Sequence, residues 1–273
     1  MIKIKLQERH QVEQEFHNAV AGQSRKDFYT FGALELADRF WFHLCVTTRF
    51  KEKPSWTEIA KSRLSLSGNL SGKVVLDLGC GRGYGAIQFA RMGALVYAID
   101  ISAAMVKATE RLAKECGLSD KVLARQMSAE KLEFPDEMFD LVAGHSILHH
   151  TDLSLTRYEV RRVLKPGGRA VFLEPLGHNP LINLFRRLTP QRRTRTECPL
   201  LFRDIEFFLE PFTQSTHYEF YLFALAAFAL LPLGSRRLFQ TVVISLTYLD
   251  QFLMRIFSSL RKFAWVVIIE LTA

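Results

Sequence analysis

Residues 74–85 read Val-Val-Leu-Asp-Leu-Gly-Cys-Gly-Arg-Gly-Tyr-Gly, a short apolar run followed by four glycines in seven positions. Few folds accommodate such a stretch. The apolar run reads as a buried strand, and the glycines as a loop whose backbone approaches a ligand closely. One strand later a second acid, Asp100, closes the run Ala94–Ile99. A glycine loop after one strand and an acid at the tip of the next describe a nucleotide-type cofactor site, with the acid meeting a ribose.

Two kinds of cofactor use such loops. Gly81, Gly83 and Ala86 fit the G-x-G-x-x-G/A spacing of dinucleotide binding. The same glycines also follow an acid, in Asp77-x-Gly79-x-Gly81-x-Gly83. A carboxylate there suits a ligand that carries an ammonium group, whereas a pyrophosphate would be repelled.

From Ser71 to Leu176 the pattern alternates strands and helices, the mark of a parallel sheet covered on both faces. Strands are expected at Val74–Leu78, Leu95–Ile99, Val122–Arg125, Phe139–Ala143 and Ala170–Leu173. Helices are expected over Gly85–Met92, from Ser102 as N-cap to about Cys116, and over Leu155–Leu164. Beyond Leu176, Phe202–Phe212 reads as a helix, and Thr216–Leu222 and Phe263–Leu271 read as two further strands.

The stretch 72–176 resembles the class I S-adenosylmethionine-dependent methyltransferases, and its glycine loop resembles their first motif. The resemblance implies an α/β, Rossmann-like, seven-stranded, mostly parallel sheet with an antiparallel last strand. It divides the chain into an N-terminal helical cap (1–70), a cofactor-binding core (71–176) and a C-terminal part (177–273). That last part carries a substrate-side segment, an apolar helical insert (223–260) and the final strands.

The same resemblance assigns roles. Asp77, Gly79, Gly81 and Gly83 line the methionine half of S-adenosylmethionine, and Asp100 takes the ribose hydroxyls. Ile101 and Met105 flank the adenine. Ser128 stands where the family usually has an Asp facing the adenine amine, and the Ala129 N–H remains available to the ring. Gly144-His145-Ser146-Ile147-Leu148-His149-His150 forms the floor under the sulfonium, with His145 counted among the cofactor contacts. Some relatives in quinone O-methylation bind a divalent metal through acids in this segment. Ser146 and His149 replace them here, so no metal is expected.

A sulfonium is already an activated electrophile, so a base is needed only for a protonated nucleophile. His150 is the first choice, His149 the second and His178 the third, with Tyr29 weaker. His149 and His150, adjacent on one turn, are expected to point to different sides. Ordinary structural histidines would look the same in sequence.

The net charge is +8, and Arg186, Arg187, Arg192, Arg193 and Arg195 crowd one short segment. Such a cluster suits a phosphorylated substrate, an anionic membrane or plain solvation. Without an aromatic RNA-binding signature, nucleic acid is not an expected partner. Four scattered cysteines and the absence of an apolar leader point to reduced thiols and a cytoplasmic setting. The runs Phe220–Leu233 and Leu238–Leu249 are apolar but shorter than a spanning helix. Three readings stay open for them: a greasy pocket lining, a peripheral membrane contact or a subunit interface.

The expected activity is methyl transfer from S-adenosylmethionine, leaving S-adenosylhomocysteine, to a hydrophobic small molecule. The acceptor would be a lipid, an isoprenoid, a quinone-like or a polyketide-like compound. An NAD(P)-dependent oxidoreductase and a non-catalytic cofactor-binding assembly partner are the alternatives.

Overall fold

The computed structural model describes residues 6–22, 70–192, 194–233 and 236–273. Most of the N-terminal cap, including Tyr29 and the aromatic residues around it, lies outside the described residues.

Seven strands form one sheet in the order β3-β2-β1-β4-β5-β7-β6. They are β1 (Val74–Leu78), β2 (Leu95–Asp100), β3 (Val122–Gln126), β4 (Phe139–His145), β5 (Leu164–Pro175), β6 (Gln214–Phe220) and β7 (Val266–Thr272). β1 to β5 run parallel, and β7 inserts antiparallel between β5 and β6. The order reverses beside β1, where β2 lies on one side and β4 on the other. In open α/β sheets such a switch point leaves a crevice at the carboxyl ends of the strands.

Strand alternation sends Val75 to one face and Leu76 and Leu78 to the other, all fully buried. The Val75 face is covered by α2 (Tyr84–Arg91), α3 (Ala103–Glu115) and α7 (Arg236–Ile256), through Phe89, Ala113 and Phe239. The opposite face is covered by α4 (Leu153–Val163) and α6 (Phe202–Leu209), through Val160, Ile205 and Phe208.

The helix starts follow the capping chemistry. Ser102 caps α3, its hydroxyl accepting from Met105 N–H, and Asp152 caps α4 by accepting from Ser154 N–H. The second cap moves the start of α4 two residues ahead of the apolar pattern that set the expectation. β4 runs on to His145 and β5 on to Pro175, because strand pairing continues past their apolar cores. α6 stops at Leu209, short of the expected Phe212. The Arg-rich segment after β5 contains a helix that was not expected, α5 (Pro180–Leu188), with Pro180 in its first turn and Asn179 accepting from Leu181 and Ile182 N–H.

α1 (Leu6–Gly22) lies against the crevice. Its Gln14 donates to the Ile101 carbonyl at 3.2 Å, Asn18 accepts from the Ser102 hydroxyl at 2.6 Å, and Arg82 donates to the Val20 carbonyl at 3.0 Å. These bonds tie α1 to the loops that follow β1 and β2.

The insert between β6 and β7 is a 3-10 stretch, Ala224–Leu233, followed by α7. Buried Asp250 on α7 gathers the N–H groups of Leu222, Phe223 and Ala224 at 2.8–3.1 Å. Among the described residues no helix is long and apolar enough to cross a membrane. Replacing Asp250 by Ala strands three N–H groups and is expected to lower stability by about 2–3 kcal/mol in urea unfolding. An unchanged midpoint would show that Asp250 does not hold the insert in place.

Candidate functional site

The glycine loop carries the chain from β1 into α2. Gly83, at the N-cap of α2, has φ +83°, and a Cβ there would sit 2.7 Å from the Thr109 side chain and 3.0 Å from its Cα. Only glycine meets both demands. A Cβ on Gly81, at φ +53°, would meet nothing within 4 Å, so the main chain is bare on that side. The loop is tied to β2 by the Cys80 N–H, which donates to the Ile99 carbonyl at 2.8 Å.

Two carboxylates flank the loop. Asp100 accepts from Gly81 N–H and from Ser102 N–H, each at 2.9 Å. Each of its oxygens keeps a further lone pair, which is what a ribose diol requires. Burial raises its pKa against the pull of those two N–H groups. Asp77 is buried, and its Oδ2 has no hydrogen-bond partner. Burial, helped by the nearby Asp100 charge, raises the Asp77 pKa to about 7 against the opposing N–H of Ala86. A buried, unpartnered carboxylate oxygen is costly on its own and is relieved by an incoming cation. The donor set therefore fits a nucleoside carrying an ammonium group, and it disfavours a pyrophosphate.

The residues assigned to the adenine follow β2 and β3 in the chain. Met105 and Ala129 are buried and Ile101 is half-buried. Ser128, expected to face the adenine amine, donates its hydroxyl to Glu130 at 2.8 Å, with His10 of α1 at 3.4 Å. His10 in turn pairs with Glu130. Ser128 thus serves an acid two residues on, a local turn bond that leaves it less free for a base edge.

The segment after β4 forms a 3-10 turn, Leu148–His150. His145 closes β4 and is exposed there; the protein around it pushes its pKa down, which keeps the imidazole neutral near pH 7. His149 and His150 are adjacent on this turn. The tight turn sets their rings 4.1 Å apart, and each turns to a different carboxylate. His149 Nδ1 lies 2.6 Å from Glu174 at the end of β5, and Glu174 also accepts from Ile147 and Leu148 N–H. Burial works to raise the Glu174 pKa, but His149 and those N–H groups outweigh it. His149 holds the loop in place.

His150 Nδ1 lies 2.9 Å from Oε2 of Glu13, on α1. The contact lacks good hydrogen-bond alignment, so neither atom has a hydrogen-bond partner. Glu13 is buried and also accepts from Thr194 at 2.7 Å and from Thr196. Burial works to raise its pKa, but His150, His17 and Thr196 together drive it far below the ordinary range. His150 is shifted down, by burial first and by the His149 charge second, against the pull of Glu13.

His178 is not an available base. Its Nε2 accepts from Phe202 N–H at 3.2 Å. Arg186, expected to meet a phosphate, donates instead to the Leu176 carbonyl and to Asn183.

Glu13, His17, Glu174 and Glu197 were not singled out in the sequence. Ligand atoms of Glu13, His17 and His150 lie within 4.8 Å of one another, as do those of His149, His150 and Glu197. Imidazole and carboxylate donors of this kind suit a transition metal better than magnesium. The spacing of Glu13 and His17, four apart on one helix face, was the available signal. Glu197 gave none, because the chain returns to the site only after α5.

Residues 76–172 match the model of the methyltransferase domain family. This stretch is a methyltransferase domain, and its glycine loop, strand order and paired acids are in keeping with the class I, S-adenosylmethionine-dependent type. Among curated relatives, the ubiquinone biosynthesis O-methyltransferase of Pseudomonas syringae pv. tomato is 35% identical over 153 residues, covering 55% of this chain and 63% of that protein. The ubiquinone/menaquinone biosynthesis C-methyltransferase UbiE of Pseudomonas paraeruginosa is 41% identical over 118 residues, covering 41% of this chain and 45% of that protein. The chain thus spans less than two thirds of the length of these relatives. The crystal structure of geranyl diphosphate C-methyltransferase from Streptomyces coelicolor A3(2), with magnesium, a substrate analogue and S-adenosylhomocysteine, superposes with a TM-score of 0.61 over 97% of both chains. At 16% identity that likeness is one of fold.

Below about pH 7 Asp77 takes up a proton in the unliganded protein and loses its attraction for an ammonium group. Calorimetric affinity for S-adenosylhomocysteine is therefore expected to weaken as pH falls, by roughly tenfold per unit. Asp77→Asn should bind weakly with a flat profile. A sloping profile in that variant would assign the titration to another group.

Proposed function

We propose that this chain transfers a methyl group from S-adenosylmethionine to a lipophilic acceptor of the quinol or isoprenoid type, with His150 as the proton acceptor. The observation that carries the reading is the pairing of His150 with buried Glu13 beside a crevice that also holds Asp77 and Asp100. The names of the relatives, which act in ubiquinone and menaquinone biosynthesis, support the acceptor class.

When bound, the cofactor supplies an electrophilic methyl on sulfur. Asp77 and the bare main chain at Gly81 hold its amino-acid end, Asp100 the ribose, and Met105 and Ala129 the base. α1 covers the crevice and excludes water. His150 is neutral near pH 7, as its lowered pKa requires, so it can accept a proton from an acceptor hydroxyl. Glu13 orients the ring and stabilises the imidazolium that forms, which makes it a positioning residue. His149, bonded to Glu174, fixes the turn.

The acceptor hydroxyl loses its proton in both O-methylation and phenol-directed C-methylation, so both relatives' chemistries are compatible with this base. The oxidoreductase alternative sits poorly with an unpaired carboxylate where a pyrophosphate would lie.

A methyl-transfer assay with a demethylated, isoprenoid-bearing catechol tests the reading. His150→Ala is expected to lower kcat by about 10²–10⁴-fold with little change in the KM for the cofactor. Glu13→Gln removes the group that holds the His150 pKa up. It should lower kcat and move the acid limb of the pH profile to lower pH. Undiminished kcat in His150→Ala would remove the histidine from the chemistry. Cofactor binding without turnover on any such acceptor would favour the non-catalytic partner.

A further inference from the structure

α5 is amphipathic the wrong way round for a soluble protein. Its polar side faces the protein: Asn183 donates to the Gly177 carbonyl at 2.7 Å, and Arg186 donates to the Leu176 carbonyl at 3.0 Å. Its apolar side faces out. Leu181, Leu184, Phe185 and Leu188 follow the i, i+3, i+4, i+7 spacing of one helix face, are 49–71% exposed, and no residue of the helix is buried. A helix of this kind, with its greasy stripe directed to solvent, needs something to cover it.

The chemistry around it says what. Between Glu174 and Glu197 the sequence carries five arginines and no acid. Arg187, on α5 itself, and Arg195, in the chain that follows it, are exposed. The Asn179 side chain, at the N-cap of α5, donates to the Phe263 carbonyl at 2.6 Å and so ties the helix to the turn that follows α7. There Phe252, Ile256 and Phe257 are exposed, and Arg255 and Lys262 with them. An apolar stripe bordered by guanidinium groups matches the interface of an anionic bilayer, with acyl chains below and phosphates above.

We propose that α5, with the end of α7, docks the protein on an anionic membrane surface. The contact is peripheral, since no described helix can span. α5 leaves the carboxyl end of β5, next to Glu174 and the histidine turn, so the docked face borders the crevice. A lipophilic acceptor could then enter from the bilayer. The docking itself does not depend on the acceptor's identity.

Vesicle co-sedimentation tests it, without acceptor. The wild-type chain is expected to sediment with vesicles of phosphatidylcholine containing about a third phosphatidylglycerol and to stay in solution with phosphatidylcholine alone. Raising salt should weaken the binding. Leu184→Ser with Phe185→Ser, and separately Arg187→Glu with Arg195→Glu, should each lower vesicle affinity about tenfold or more. Affinity for S-adenosylhomocysteine should not change, because these side chains are exposed and away from the glycine loop, and this doubles as the check on folding. Failure to bind anionic vesicles, or equal binding to both kinds, overturns the proposal. So does a dimer in sedimentation velocity that Leu184→Ser with Phe185→Ser dissolves, which would give the face to a second copy of the chain.

Discussion

Asp100 accepts from Gly81 with one oxygen and from Ser102 with the other. One side chain thereby joins the tip of β2 to the loop leaving β1 and to the first turn of α3. Both donors are main-chain N–H groups at a loop and a helix start, where they have no partner in the regular structure. The carboxylate satisfies them and is fixed by them. Through Ser102 the same node reaches α1, whose Asn18 accepts from the Ser102 hydroxyl. The glycine loop, the ribose site and the cover over both share this one anchor.

A second buried polar group lies on the acceptor side of the crevice. Glu13 and Glu174 are both held charged despite burial, each by a histidine and by hydrogen-bond donors from remote parts of the chain. Removing one partner would leave a buried charge uncompensated, so such a group rigidifies what it joins. Here it joins α1, the turn after β4, the end of β5 and the segment 194–198, whose Cys198 N–H donates to the His149 carbonyl at 2.8 Å. The closed shape of the site thus depends on protonation states as well as on packing. α5 lies within the chain that connects Glu174 to Thr194.

The parallel core was legible in the sequence because each of its strands is short, apolar and bounded by glycine or a capping residue. Asp77, Asp100 and the glycines were legible for a different reason: their roles depend on local spacing, which sequence preserves. The partners of His149 and His150 were not legible, because Glu174 and Glu13 reach the turn from β5 and α1. Glu13 offered only its four-residue spacing to His17, because its other partners, Thr194, Thr196 and His150, are all more than a hundred residues away. α5 was missed because apolar residues alternating with arginines near prolines look like a loop when the apolar face has no core to meet.

The most direct measurement of the central assignment is a crystal structure with S-adenosylhomocysteine. The ligand ammonium should lie about 3 Å from Asp77 Oδ2, with both ribose hydroxyls on Asp100 and the sulfur turned toward the histidine turn. A ligand amino group turned away from Asp77, or a nucleoside bound outside the crevice between β1 and β2, would contradict it.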